Sequence, residues 1–66
     1  MNIYVNGEPR QVPEDFTAAN LIAELALTEK RVAMEVNRDI VPRSGYARHS
    51  FQDGDRVEIV QAIGGG

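Results

Sequence analysis

The chain has no cysteine and no tryptophan, and a single histidine, His49. Without cysteine there is no disulfide, no thiolate nucleophile and no persulfide held on the protein. His49 alone cannot assemble a zinc site, so a surface loop residue is the expected reading of it. Long hydrophobic runs are also missing. Nothing approaches the ~18 to 20 apolar residues that cross a bilayer, and Met1-Asn2-Ile3-Tyr4 has neither the charged nor the apolar region of a signal peptide. A cytoplasmic protein with no membrane partner is expected. Positive charge is in deficit: seven Lys and Arg stand against ten Asp and Glu, a formal net charge of -3. That balance disfavours a protein that tracks nucleic-acid phosphates, and no nucleic-acid partner is expected.

Length sets the next bound. Sixty-six residues make one small domain. Ordering them costs roughly 100 kcal/mol at ~1.5 kcal/mol per residue, so the apolar 42% of the chain is mostly needed inside. Little remains for an enclosed substrate pocket. A carrier, a tag or a binding module is expected, not an autonomous enzyme.

What is present reads clearly as alternating elements. Ile3 and Val5 point one way and Asn2 and Tyr4 the other. Asn6-Gly7 then signals a two-residue hairpin turn, because type I′ needs positive φ at both central positions. Arg10-Gln11-Val12 is the expected return strand, with Pro9 suited to a sheet edge. Thr17 is a helix N-cap candidate, with Phe16 and Leu21 at hydrophobic-staple spacing. Leu21, Ile22 and Leu25, with Ala18, form the apolar stripe of a helix over about Ala18 to Leu27, and Asn20 and Glu24 face water. A capping box would have Glu at the third helical position, where this chain has Asn20.

Val32, Met34 and Val36 alternate with Ala33 and Glu35 in a half-buried strand. Asn37-Arg38-Asp39 is turn-like, and Ile40-Val41 is a short return before Pro42. Tyr46 and Phe51 are expected to anchor a loop or short 3₁₀ turn. Asp53-Gly54-Asp55 is a turn, and Arg56 to Ala62 a last strand with Val57 and Ile59 on one face. One helix on one face of a small mixed sheet satisfies this order. That is an α+β fold, the ubiquitin-like β-grasp, with the last strand beside the first at the sheet centre. Residues 1–63 are expected to form this domain, and residues 64–66 a flexible glycine tail.

Gly64-Gly65-Gly66 is the most informative feature. Glycines have no packing role here, but without Cβ atoms they can thread a narrow channel and present a bare carboxylate about 10 Å from the domain. A carboxylate is a poor electrophile until activated, most simply as an acyl-adenylate. The chain has no phosphate-binding loop, since these glycines precede no helix and no Lys-Ser/Thr. The activating site must therefore lie on another protein. Asp53 and Asp55 flank a glycine as in a calcium loop, but the downstream ligand spacing is missing, so no metal site is expected. Lys30, the one lysine, is poorly placed for a prosthetic group. Arg38, Arg43 and Arg48 are expected as solvated charges, with a small basic rim as the minority reading. On the sheet face away from the helix, Tyr4, Ala33, Val60 and Ala62 form a modest apolar patch beside the tail, a reasonable docking site.

The chain resembles the ThiS family, the bacterial sulfur carriers of thiamine biosynthesis. The resemblance covers the whole length. It is carried by Val36-Asn37-Arg38-Asp39-Ile40-Val41-Pro42-Arg43, by Asp53-Gly54-Asp55-Arg56-Val57-Glu58-Ile59-Val60, and by the terminal Gly-Gly. The Ile-Val-Pro-Arg segment is its more specific part. The resemblance implies that an E1-like adenylyltransferase activates the Gly66 carboxylate with ATP and Mg²⁺. A sulfur donor system, a cysteine desulfurase or rhodanese-like protein, then leaves a thiocarboxylate on Gly66, and thiazole synthase accepts the sulfur. Gly64 and Gly65 would line the partner's channel, and Ile63, Ala62, Val60 and Tyr4 would dock the body. The carrier would bind no cofactor itself and be a monomer when free. Three other readings stay open: a carrier like the small subunit of molybdopterin synthase, a ubiquitin-like protein modifier, and a pure interaction module.

Overall fold

Asn6 and Gly7 have φ of 52° and 86°, and Asn37 and Arg38 have φ of 51° and 72°. Each pair therefore forms the two-residue turn whose twist matches that of the strands it joins. The first links β1 (Asn2–Val5) to β2 (Glu8–Gln11), and the second links β3 (Val32–Val36) to β4 (Asp39–Val41). Both return strands begin earlier than their sequence suggests. A two-residue turn restores register at once, so Val5 faces Glu8 and Val36 faces Asp39. Asp39 is thus a strand residue, and the turn is Asn37-Arg38.

The computed structural model describes residues 1–62. Ile63 and the expected tail Gly64-Gly65-Gly66 lie outside the described residues. Strand β5 (Arg56–Gln61) occupies the centre of a sheet ordered β2-β1-β5-β3-β4, parallel to β1 and antiparallel to β3. The arrangement is the expected β-grasp, with one helix packed on one face.

Helix α1 (Ala18–Glu24) is shorter than its apolar stripe suggests. At its start the capping box is complete with Asn20 in place of glutamate. The Asn20 N–H donates to Thr17 Oγ1 at 3.2 Å, and the Thr17 N–H donates to Asn20 Oδ1 at 3.0 Å. At its end Ala26 takes φ 59°. The Ala26 N–H then donates to the Ala23 carbonyl at 3.0 Å and the Leu27 N–H to the Ile22 carbonyl at 2.9 Å. That is the left-handed Schellman stop, made here by alanine where glycine is usual.

The core lies between α1 and the inner sheet face. Ile3, Leu21, Met34 and Val57 are fully buried, and Val12, Phe16, Val36, Val41, Tyr46, Phe51 and Ile59 close around them. The segment after β4 is a 3₁₀ helix (Arg43–Arg48) that buries Tyr46, as expected of that anchor. The β4–β5 connection is tied to the helix start by the Ala18 N–H on the His49 carbonyl at 2.9 Å and the Phe51 N–H on the Phe16 carbonyl at 3.1 Å.

Two asparagine side chains extend the sheet onto β5. The pairing of β1 with β5 runs only from Tyr4↔Arg56 to Val5↔Val57. Beyond it, the Asn6 amide behaves as one more peptide group: Oδ1 accepts from the Ile59 N–H at 2.9 Å, and Nδ2 donates to the Ile59 carbonyl at 3.3 Å. On the other side Asn37 Oδ1 accepts from the Arg56 N–H at 3.0 Å, and Nδ2 donates to Asp55 Oδ1 at 3.0 Å. Asp55 is buried, and its other oxygen accepts from the Gln52 N–H at 2.8 Å.

Asn37→Gly should keep the turn but lose both side-chain bonds, costing about 1 to 2 kcal/mol in urea unfolding. Asn37→Ala should cost about 1 kcal/mol more, because alanine resists the left-handed conformation. Equal losses in the two variants would show that the turn conformation adds nothing to the amide bonds.

Candidate functional site

Strand β5 leads from the core directly to Ala62, so its alternation decides which groups surround the last described residues. Val57 and Ile59 are buried, while Arg56, Glu58 and Val60 are exposed on the outer face. Val60 is 64% exposed, which makes it one of two large exposed apolar side chains among the described residues. Ala33 lies directly opposite it on β3. Ala62, just beyond the strand, donates its N–H to the Arg31 carbonyl at 2.8 Å. Val32, Ala33, Val60 and Ala62 form the apolar floor of an open groove of about 310 Å³, and Arg31 and Arg43 form its basic walls.

Three of the expected docking residues thus come together: Ala33, Val60 and Ala62. Tyr4 does not join them. It pairs with Arg56, four residues before Val60 and about 13 Å away along the strand. Glu58 lies between, with Glu35 opposite it. Tyr4 is half-buried, and the Arg56 guanidinium sits 5.4 Å from its ring centroid. The outer face is therefore divided into an apolar-basic end at Ala62, an acidic middle, and a tyrosine–arginine stack. Ile63, Gly64, Gly65 and Gly66 lie outside the described residues.

Two side chains stand differently from their sequence reading. Ile40 is 76% exposed on the outer face beside Glu35. Val41 points inward, so Ile40, its neighbour on the strand, must point out. His49 is half-buried, not a free surface residue. Its ring meets Phe51 edge-on at 5.5 Å, and its Nε2 is enclosed without a hydrogen-bond partner. The three arginines form no common rim. Arg43 lines the groove near Ala62, while Arg48 lines a second open hollow of about 480 Å³ bordered by Asn37, Ile40 and His49. Among the described residues no group of three His, Cys, Asp or Glu could hold a metal, and no helix is long and apolar enough to cross a membrane. The arrangement suits docking.

The ThiS family model matches residues 3–66. The chain belongs to the ThiS family. It is similar to the sulfur carrier protein ThiS of Escherichia coli K12, with 35% identity over 66 residues that span all of both chains. The crystal structure of the thiamine biosynthesis protein ThiS from Geobacter metallireducens superposes with a TM-score of 0.82, at 33% identity over the whole of both chains. The chain also aligns, at 44% identity over all its 66 residues, with 20% of the length of a thiazole synthase from Paramagnetospirillum magneticum. These likenesses bear out the β-grasp expectation and the family resemblance together.

Val60→Asp should lower unfolding stability by about 1 kcal/mol or less, since the side chain is largely in water already. Ile59→Ala, one residue earlier and buried, should cost about 2 to 5 kcal/mol. Similar losses for the two, measured by urea unfolding, would mean that the outer face of β5 is covered.

Proposed function

We propose that this chain is a sulfur carrier for thiazole formation in thiamine biosynthesis, a co-substrate of other enzymes and not itself a catalyst. The observation that carries the reading is the end-to-end match with a protein named for that role. The groove at the root of the tail supports it, because a carrier must dock close to its own reactive end. The Gly66 carboxylate would attack the α-phosphorus of ATP in the site of an E1-like adenylyltransferase, where Mg²⁺ steadies the leaving pyrophosphate. The outer sulfur of a persulfide on a donor, a cysteine desulfurase or rhodanese-like protein, would then attack the acyl carbon and release AMP. A thiol of the donor system would cleave the acyl disulfide so formed, ending in a disulfide itself and freeing the chain-end sulfur. The resulting thiocarboxylate is a better nucleophile than a carboxylate and would deliver sulfur to thiazole synthase. Support for that acceptor comes from the relative in which a segment like this chain belongs to a polypeptide named thiazole synthase. Gly64 and Gly65 would thread the partner's channel, and Val60, Ala62 and Ile63 would seat the body.

Incubation with ATP, the cognate adenylyltransferase and a sulfide source should raise the intact mass by one sulfur minus one oxygen, located at Gly66. Removal of Gly66, or one residue added after it, should abolish that gain while the melting curve stays unchanged. Conjugates on lysine side chains instead of a mass gain would point to a protein modifier. Val60→Asp should raise the adenylyltransferase KM for the carrier by about tenfold, the loss expected of one apolar anchor.

A further inference from the structure

The Ile40-Val41-Pro42-Arg43 segment does more than complete a strand. Val41 is buried in the core, and Pro42 opens the 3₁₀ helix, its carbonyl accepting from the Gly45 N–H at 2.8 Å. Neither role calls for an arginine next. The Arg43 side chain reaches away from the 3₁₀ helix to the connection between α1 and β3. Its Nη2 donates to the Lys30 carbonyl at 2.7 Å and, over a longer 3.4 Å, to the Thr28 carbonyl. The next carbonyl along that connection, Arg31, accepts the Ala62 N–H at 2.8 Å. This bond lies beyond the β3–β5 register, whose end pair is Val32↔Gln61. Among the described residues it is the most C-terminal tie of the main chain to the body.

A loop carbonyl can hold the end of a strand only as firmly as the loop itself is held. A guanidinium offers several N–H groups in a fixed plane, and its charge strengthens bonds to carbonyl oxygens. We propose that Arg43 is a positioning residue for the transfer chemistry. By tying the Thr28 and Lys30 carbonyls it fixes the Arg31 carbonyl, and through the Ala62 N–H it fixes the main chain four residues before Gly66. The chemical part of this inference rests on the carrier reading, and the geometric part does not. A fixed Ala62 narrows the positions the chain-end carboxylate can take when it meets ATP. The effect therefore falls on the reacting complex more than on docking.

The test compares the full wild-type chain with Arg43→Met, which keeps an apolar stem, and Arg43→Lys, which keeps the charge and can reach one carbonyl. Amide exchange with solvent is read at Ala62, with Ile59 as internal reference. Arg43→Met should melt within a few degrees of wild type. Its Ala62 amide should exchange roughly tenfold faster while Ile59 is unchanged. Arg43→Lys should fall between. With the cognate adenylyltransferase, Arg43→Met should lower kcat severalfold, by a larger factor than it raises KM for the carrier. Unchanged Ala62 exchange in Arg43→Met would overturn the tie. So would equal acceleration at Ala62 and Ile59, which marks a general stabilising role. A raised KM with unchanged kcat, fully restored by Arg43→Lys, would make Arg43 a docking cation instead. No adenylation of the wild-type chain would remove the carrier reading and the chemical role with it, and Ala62 exchange would still decide the geometry.

Discussion

Strand β5 must be held from both sides, because it is both the middle of the sheet and the route from the core to the tail. Main-chain pairing alone does this unevenly. The antiparallel contact with β3 is long, from Val36↔Val57 to Val32↔Gln61, while the parallel contact with β1 covers two pairs. Asn6 and Asn37 repair the imbalance from their turns. Each sits in the left-handed conformation that asparagine tolerates, and each aims a side-chain amide at β5. A turn residue that is also a ladder partner links two costs, since the strained backbone is stable only while its amide stays engaged. The pair thus holds β5 at Arg56 and Ile59, where its main-chain contact with β1 is short. The exposed ion pair between Arg10 and Glu24 at 3.1 Å adds little by comparison, about 1 kcal/mol or less for partners so accessible.

The elements that were legible in the sequence have short-range causes. Asn6-Gly7 announces its turn, Thr17 its cap, and the alternation from Arg56 to Val60 separates core from solvent, because a strand has a period of two. What the sequence hid needed either an unusual residue or a distant partner. Ala26 ends α1 in a conformation normally signalled by glycine, so the apolar stripe runs on past the true stop. Arg38 occupies a left-handed position with no local mark of it. Asn20 completes a capping box in a role usually given to a longer acidic side chain.

The candidate site shows the same division. That Val60 points outward follows from alternation. That Tyr4 lies four residues down the strand from it follows only from the β1–β5 register, which no local pattern encodes. The reach of Arg43 to Lys30 is of the same kind, a contact between segments thirteen residues apart, one leading into β3 and the other following its neighbour β4.

Small size makes this separation of faces consequential. The fully buried side chains of the sheet, Ile3, Met34 and Val57, all lie on its inner face against the helix, and a core this small leaves none to spare. The outer face carries a directly opposed acidic pair, Glu35 and Glu58, an arrangement that disfavours the sheet by a few tenths of a kcal/mol or more. A face kept for stability would not hold two carboxylates opposite one another beside an exposed isoleucine and valine. A face that meets other proteins can, provided the inner face alone carries the fold. Alternate residues of the same strand thus face different ways: Val57 and Ile59 hold the domain together, while Glu58 and Val60 are presented outward. For the carrier proposed above, the outer face can then vary in charge and shape without loosening β5.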